Sequence, residues 1–272
     1  MRLGVAAAIL TTFALVELAL PAAAEESALQ KMKSTGVIKA CIAQTNPESF
    51  KDAKTGEWKG VNVDLLDGLA DWVKVKVDWV EVTWATAVLS LTRSDCDMFG
   101  GSLQFNAPRA LDVSYIVPFW KKGSNFVVRK DATRKFASPE ALDDAGVTIA
   151  VVAGSADYEL AKAKFPKANL KALNVNSSIQ VMDSVRRGDV DGAFVSTAAV
   201  YAWLRVPENA AWAEEAFPEQ ELFPAPVGWA VRYGDPDWKS FLDSYSRWTA
   251  ANGKVKALYD KYYAGANPYK SN

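Results

Sequence analysis

The apolar positions of the chain change period several times, and each change marks an element. After a short helix predicted from Ser27 to Lys33, the run VIKACIAQ that follows Gly36 is brief, apolar and rich in β-branched residues, as a buried strand requires. The polar stretch TNPESFKDAKTGEWKG reads as a loop. In GVNVDLLDGLADWV, Val63, Leu66, Leu69 and Val73 recur at helical spacing and predict one buried face. VKVDWVEVT then alternates as a strand, Ala87, Val88 and Leu91 mark a further helix, and Cys96 opens the next strand. Strand, helix, strand, helix, strand predicts an α/β fold with a mainly parallel sheet.

A similar rhythm follows. SNFVVRKD reads as a strand, and GVTIAVVAGS as another that runs straight into the helix ADYELAKAKF. Ser155 is a good N-cap there, and the first turn exposes backbone N–H groups that can hold an anion; a plain cap is the commoner role. Ile179, Met182 and Val185 form a helix face closed by Gly188, and DVDGAFVST is a strand ending in hydroxyls. After a loop rich in Glu and Pro, PVGWAVRYGD reads as a strand. Asp235-Pro236 then starts a helix in which Trp238, Phe241, Leu242, Tyr245 and Trp248 make one wide apolar face, and VKALYDKYY is the last helix. No segment repeats at a fixed solenoid period.

With 272 residues, half of them hydrophobic, the chain can bury a sizeable core in one large domain or two ordinary ones. Lys and Arg total 31 against 32 Asp and Glu, so no global field draws it to nucleic acid or an anionic membrane. Residues 1–24 have a basic start at Arg2, an apolar middle and Ala22-Ala23-Ala24 before Glu25, the pattern of a secretory signal cleaved after Ala24. Glu17 and Pro21 argue against an uncleaved membrane anchor. A soluble, exported protein is expected. Its two cysteines, Cys41 and Cys96, lie on predicted strands, and in an exported chain such a pair is more often bridged than left as two buried thiols. With no histidine, the chain has no His-based triad and poor material for a zinc site, so neither metal nor cofactor is expected.

The chemistry concentrates in DCDMFGGSLQFNAPRALDVSYIVPFW, residues 95–120, where a strand runs into a polar mouth and delivers Arg109. Gly100 and Gly101 suggest close approach of backbone and ligand, and Ser102, Gln104 and Asn106 offer hydrogen bonds. A planar guanidinium can hold a carboxylate by two parallel hydrogen bonds. Taken alone, the stretch equally suits a surface arginine.

Six marks in order settle the resemblance: GEWKGVNVDLLDGLA, SDCDMFGGSLQFNAPR, VAGSADYE, RRGDVDGAF, VGWAVRYGDPD and LYDKYY. The chain resembles the extracytoplasmic solute-binding proteins of ABC importers, polar amino-acid family (family 3). The resemblance implies a two-lobed α/β fold of periplasmic-binding type II, with two α/β sandwiches joined by two hinge strands and closing over a cleft. Lobe one would comprise residues 25–120 and 227–272, and lobe two residues 121–226. It further implies a periplasmic, non-enzymatic monomer that passes a small carboxylate-bearing solute to a membrane permease.

Position by position, Arg109 matches the arginine that grips the ligand carboxylate. Ser102 and Gln104 match the neighbouring loop contacts, although Gln104 stands where Thr or Ser is usual. Ser155 matches a hydroxyl of the facing lobe, and Ala156 replaces a second one. Ser196 stands where the family places an aspartate for the ligand's ammonium group, and serine supplies no charge. A solute other than a standard α-amino acid, or an amino acid in an altered pose, is therefore expected. Glu48 and Asp157 are candidates for the missing carboxylate; a solvated surface charge and a helix-dipole residue are the respective alternatives. Trp84 matches a position that contacts the ligand side chain, and packing explains it equally well. Two other branches of the fold remain open: accessory proteins of quinoprotein dehydrogenases, and a cyclohexadienyl-dehydratase-like enzyme using Glu48 or Asp157 as general acid.

Overall fold

Two long strands that pass from one half of the molecule to the other decide the architecture of this computed structural model, which describes residues 26–218 and 220–263. The expected leader and its expected cleavage point lie outside the described residues. The chain begins with α1 (Ala28–Thr35), β1 (Val37–Ile42), the short strands β2 (Phe50–Lys51) and β3 (Trp58–Lys59), α2 (Val61–Val73), β4 (Lys76–Glu81), α3 (Ala87–Thr92) and β5 (Met98–Gln104). A single 3-10 turn at Arg109–Leu111 leads to β6 (Val113–Tyr115) and the first crossing strand, β7 (Trp120–Arg129). The second half contains β8 (Thr148–Val152), α4 (Ala156–Lys164), β9 (Asn169–Leu173), α5 (Ser178–Arg186), β10 (Gly192–Ser196), α6 (Thr197–Leu204), α7 (Pro207–Ala210) and β11 (Ala213–Glu215). The second crossing strand, β12 (Leu222–Arg232), returns the chain to α8 (Pro236–Ala251) and α9 (Lys254–Tyr262).

The main sheet runs β4-β1-β5-β12-β7-β10-β8-β9. β4, β1 and β5 are mutually parallel, as are β9, β8 and β10, while β12 and β7 pair antiparallel to each other at the junction. Each half thus repeats one order, closed by an antiparallel crossing strand, and each has its own core. Leu65, Leu66, Met98, Trp229 and Tyr259 anchor the first, and Val152, Met182, Phe126 and Phe194 the second.

Local chemistry explains the element ends. Ser27 caps α1, and Asp235 accepts from both Ala28 N (2.7 Å) and Trp238 N (3.1 Å), tying the start of α1 to the start of α8. Gly60, at φ 129°, lets α2 begin against the Glu48 carbonyl, which a Cβ there would approach to 2.4 Å.

The structure differs from the periodic reading where strands or helices are not amphipathic. β7 starts at Trp120 rather than Ser124, and β12 at Leu222, because the crossing segments WKKG and LFPA carry polar residues and prolines. Helix α6 has no apolar stripe to detect, since Thr197, Ala198, Ala199, Val200 and Trp203 are all buried. Ile179 and Trp248 are exposed, and Val181, Met182 and Val185 make the buried face of α5. Gly100 and Gly101 serve packing: added Cβ atoms would press on Trp79 (3.0 Å) and on the Phe99 ring (2.8 Å).

Cys96 lies just before β5 rather than on it, and it forms a disulfide with Cys41 of β1. The bridge closes a span of 55 residues. Loop-closure entropy then predicts that Cys96→Ala lowers stability by about 4 kcal/mol, readable in urea unfolding; an unchanged midpoint would show the bridge adds nothing.

Candidate functional site

In open α/β sheets a crevice forms beyond the carboxyl ends of parallel strands, where the strand order reverses. Here both lobes turn those ends toward each other. The ends of β1, β4 and β5 and the segments after them bring Thr45, Trp84, Gln104 and Arg109 to one wall, and the ends of β8 and β10 with the segments after them bring Ser155, Asp157 and Ser196 to the other. Together they line a cavity of about 30 Å³, with Ser102, Lys122, Val152, Ala156 and Ser178 completing the lining. That is room for roughly one or two waters, less than a small organic solute fills.

On the first wall, the Ser102 hydroxyl pairs with the buried Asn62 amide (3.0 Å), and Gln104 Nε2 donates to the Lys122 carbonyl (3.1 Å). Arg109 is only 8% exposed. Asn106 Oδ1 accepts from its backbone N–H (2.8 Å), and its Nη2 crosses the cleft to the Gly154 carbonyl (2.5 Å). Its Nη1 is buried without an acceptor. Desolvation depresses the guanidinium pKa, opposed by Tyr115 and Asp157, but an arginine remains protonated throughout the working range.

On the second wall, the Ser155 oxygen accepts from Tyr158 N (3.1 Å) and caps α4, and the Ser196 oxygen accepts from Ala199 N (3.4 Å) and caps α6. Each hydroxyl spends its acceptor side on its own helix and keeps a proton to donate. Asp157 lies in the first turn of α4, buried rather than at the surface, and accepts from Ser124 Oγ (2.5 Å). Burial raises its carboxyl pKa, while Ser124, Lys122, Arg109 and the adjacent Ser196 backbone pull it back. Asp157 therefore stands beside position 196, which itself carries no charge.

The lobes meet closely at Gly154, whose φ is 69° and where a Cβ would come within 2.5 Å of Ala85 Cα. Gly154→Ala is expected to hold the lobes apart and weaken solute binding by roughly tenfold or more. Titration calorimetry on folded variant tests this, and unchanged affinity would mean that contact is not part of the bound state.

Trp84 lines the cleft and touches cores of both lobes, with its ring 5.6 Å from that of Phe99 and its Nε1 donating to the Gln44 carbonyl (3.2 Å). Glu48 is placed differently. It is fully buried outside the cleft lining, 2.5 Å from Lys122 Nζ, and it also accepts from the Tyr259 hydroxyl (3.2 Å). It is neither a solvated surface charge nor turned toward the cavity. Lys122, Thr45 and Ser178 escaped the sequence reading. Lys122 escapes because SNFVVRKD reads as a strand only from Ser124; the strand begins at Trp120, which puts Lys122 and Ser124 on one face, toward Asp157.

Two sandwiches joined by paired crossing strands and meeting over a small polar cleft define a solute-binding protein. The family of bacterial extracellular solute-binding proteins, family 3, matches residues 27–265, and the chain belongs to that family. It is 22% identical over 225 residues to the ABC transporter arginine-binding protein 1 of Escherichia coli (strain K12), covering 82% of this chain and 88% of that one. It is 25% identical over 163 residues to the cyclohexadienyl dehydratase of Pseudomonas aeruginosa, with 59% and 60% of the chains covered. Among solved structures, an ancestral amino acid-binding protein described as a precursor of cyclohexadienyl dehydratase superposes with TM-score 0.75 at 26% identity, over 88% of this chain and all of the other.

Proposed function

We propose that the protein captures a small carboxylate-bearing solute, an amino acid or a related compound, in the periplasm and delivers it as a monomer to an ABC permease without altering it. Residues 25–120 with 227–272 would move as one lobe and residues 121–226 as the other, hinged at β7 and β12. One observation carries this reading: Arg109 Nη1 is a buried donor in the cleft with no acceptor. A carboxylate would satisfy it, with the first-turn N–H groups of α4 and the hydroxyls of Ser102, Ser155 and Ser196 around it. The solute's ammonium group would meet Asp157, a pose shifted from the one that the family resemblance implies for an aspartate in place of Ser196. Relatives named as amino-acid binders support the class of solute. Native mass spectrometry of the purified protein should recover such a compound. Recovery of a solute lacking any acidic group would overturn the assignment of Arg109.

The raised Asp157 carboxyl sets a pH dependence. Ionised Asp157 attracts the ammonium, so affinity should hold at neutral pH and fall as pH drops through the raised pKa. The unliganded protein should behave oppositely: the folded state takes up a proton before the unfolded state does, and stability rises as pH falls through that window. Asp157→Asn should remove both trends, measured by calorimetry and thermal unfolding. If both survive, another group is responsible.

The same buried acid favours a second reading, proton donation in a dehydratase reaction, and one relative is named as such an enzyme. Incubation with prephenate or arogenate decides between them, and no product is expected.

A further inference from the structure

Three buried charged side chains line the cleft, Arg109, Lys122 and Asp157, and a fourth, Glu48, is paired with Lys122 behind its wall; each is at most 8% exposed. The two pairs cancel. Their positions, however, are not equivalent. Glu48 lies behind the cleft wall with its oxygens taken by Lys122 and Tyr259, so Asp157 is the one carboxylate among the described residues lining the cavity. Lys122 does line it, and its charge acts on Asp157. An ammonium has three N–H donors, and a single contact to Glu48 uses one.

Building on the carboxylate-capture reading, we propose that Lys122 determines the specificity of this cleft, restricting the solute to a small zwitterion whose only cationic group is the one taken by Asp157. A solute with one carboxylate and one ammonium matches Arg109 and Asp157 and leaves the enclosed charge at zero. A cationic side chain would add a second positive group with no carboxylate left to receive it and Lys122 close by. In a site without water, an unpaired like charge is strongly disfavoured. Trp84, Val152 and the crossing strand that carries Lys122 bound this cavity, which sets the Lys122 side chain against a solute held there.

The test is calorimetric titration of the purified exported chain with glycine, L-alanine, L-serine, L-lysine and L-arginine. The neutral compounds should bind at least about a hundredfold more tightly than the two cationic ones. Exchanging the pair, Glu48→Lys with Lys122→Glu, keeps the ion pair but turns the carboxylate toward the cavity, and should confer binding of L-lysine or L-arginine. Neutralising it, Glu48→Gln with Lys122→Met, should narrow the preference by roughly tenfold or more, with thermal unfolding to confirm the fold. Wild-type protein that binds L-arginine or L-lysine as tightly as L-alanine overturns the role of Lys122 while leaving carboxylate capture intact. Folded pair variants that keep the full preference also overturn it. Wild-type protein that binds none of the five overturns capture of a simple amino acid, and this inference with it.

Discussion

Arg109→Met should reduce solute affinity by about 3 kcal/mol, a factor of roughly 150, while the protein remains folded. Arg109 is buried beside the cleft with Nη2 on the Gly154 carbonyl and Nη1 unpaired, an arrangement that costs free energy until an acceptor arrives. Removing the guanidinium also removes that cost, so the melting temperature of the unliganded variant should hold or rise. Arg109→Lys should recover little affinity, because an ammonium cannot span two carboxylate oxygens and the Gly154 carbonyl together. A variant that unfolds more easily yet binds normally would make Arg109 a structural residue. The measurements are calorimetry for affinity and thermal unfolding for stability.

Glu48→Gln should destabilise the protein by about 3–5 kcal/mol, because it leaves the Lys122 ammonium uncompensated inside the protein. For a chain of this size that corresponds to a fall of roughly 10 °C in melting temperature. The pair is 2.5 Å apart, with side chains 0% and 5% exposed, and it joins the loop after β1 to the crossing strand β7. Adding Lys122→Met should restore most of the loss, since replacing both charges with uncharged groups removes the desolvation penalty as well as the attraction. A single variant as stable as the wild type would mean that water or another group already solvates Lys122.

The strongly periodic elements and the route of the chain were legible without coordinates. Val63, Leu66 and Leu69 marked α2, Asp235-Pro236 marked the start of α8, and the strand before Arg109 was recognisable as a strand. Less legible were segments whose burial is not one-sided. Helix α6 is apolar all round, and the crossing strands take their partners from both lobes, so neither shows a stripe or a clean alternation. Lys122 was hidden for that reason. Ser196 was legible as an uncharged substitute, but not as the cap of α6, since α6 itself had not been found.

Hydrophobic period and turn chemistry act over a few residues, so the sequence by itself determined the strongly periodic strands and helices and the family marks, and it singled out Arg109 as a candidate. It did not determine which charges meet. Glu48 and Lys122 are 74 residues apart in the chain, Ser124 and Asp157 are 33 apart, and Arg109 reaches a carbonyl 45 residues away. Electrostatic pairing depends on distance and burial in three dimensions. Only the folding of both lobes against the crossing strands withdrew Glu48 from the cleft, brought Lys122 and Asp157 into it, and left Arg109 with a donor to spare.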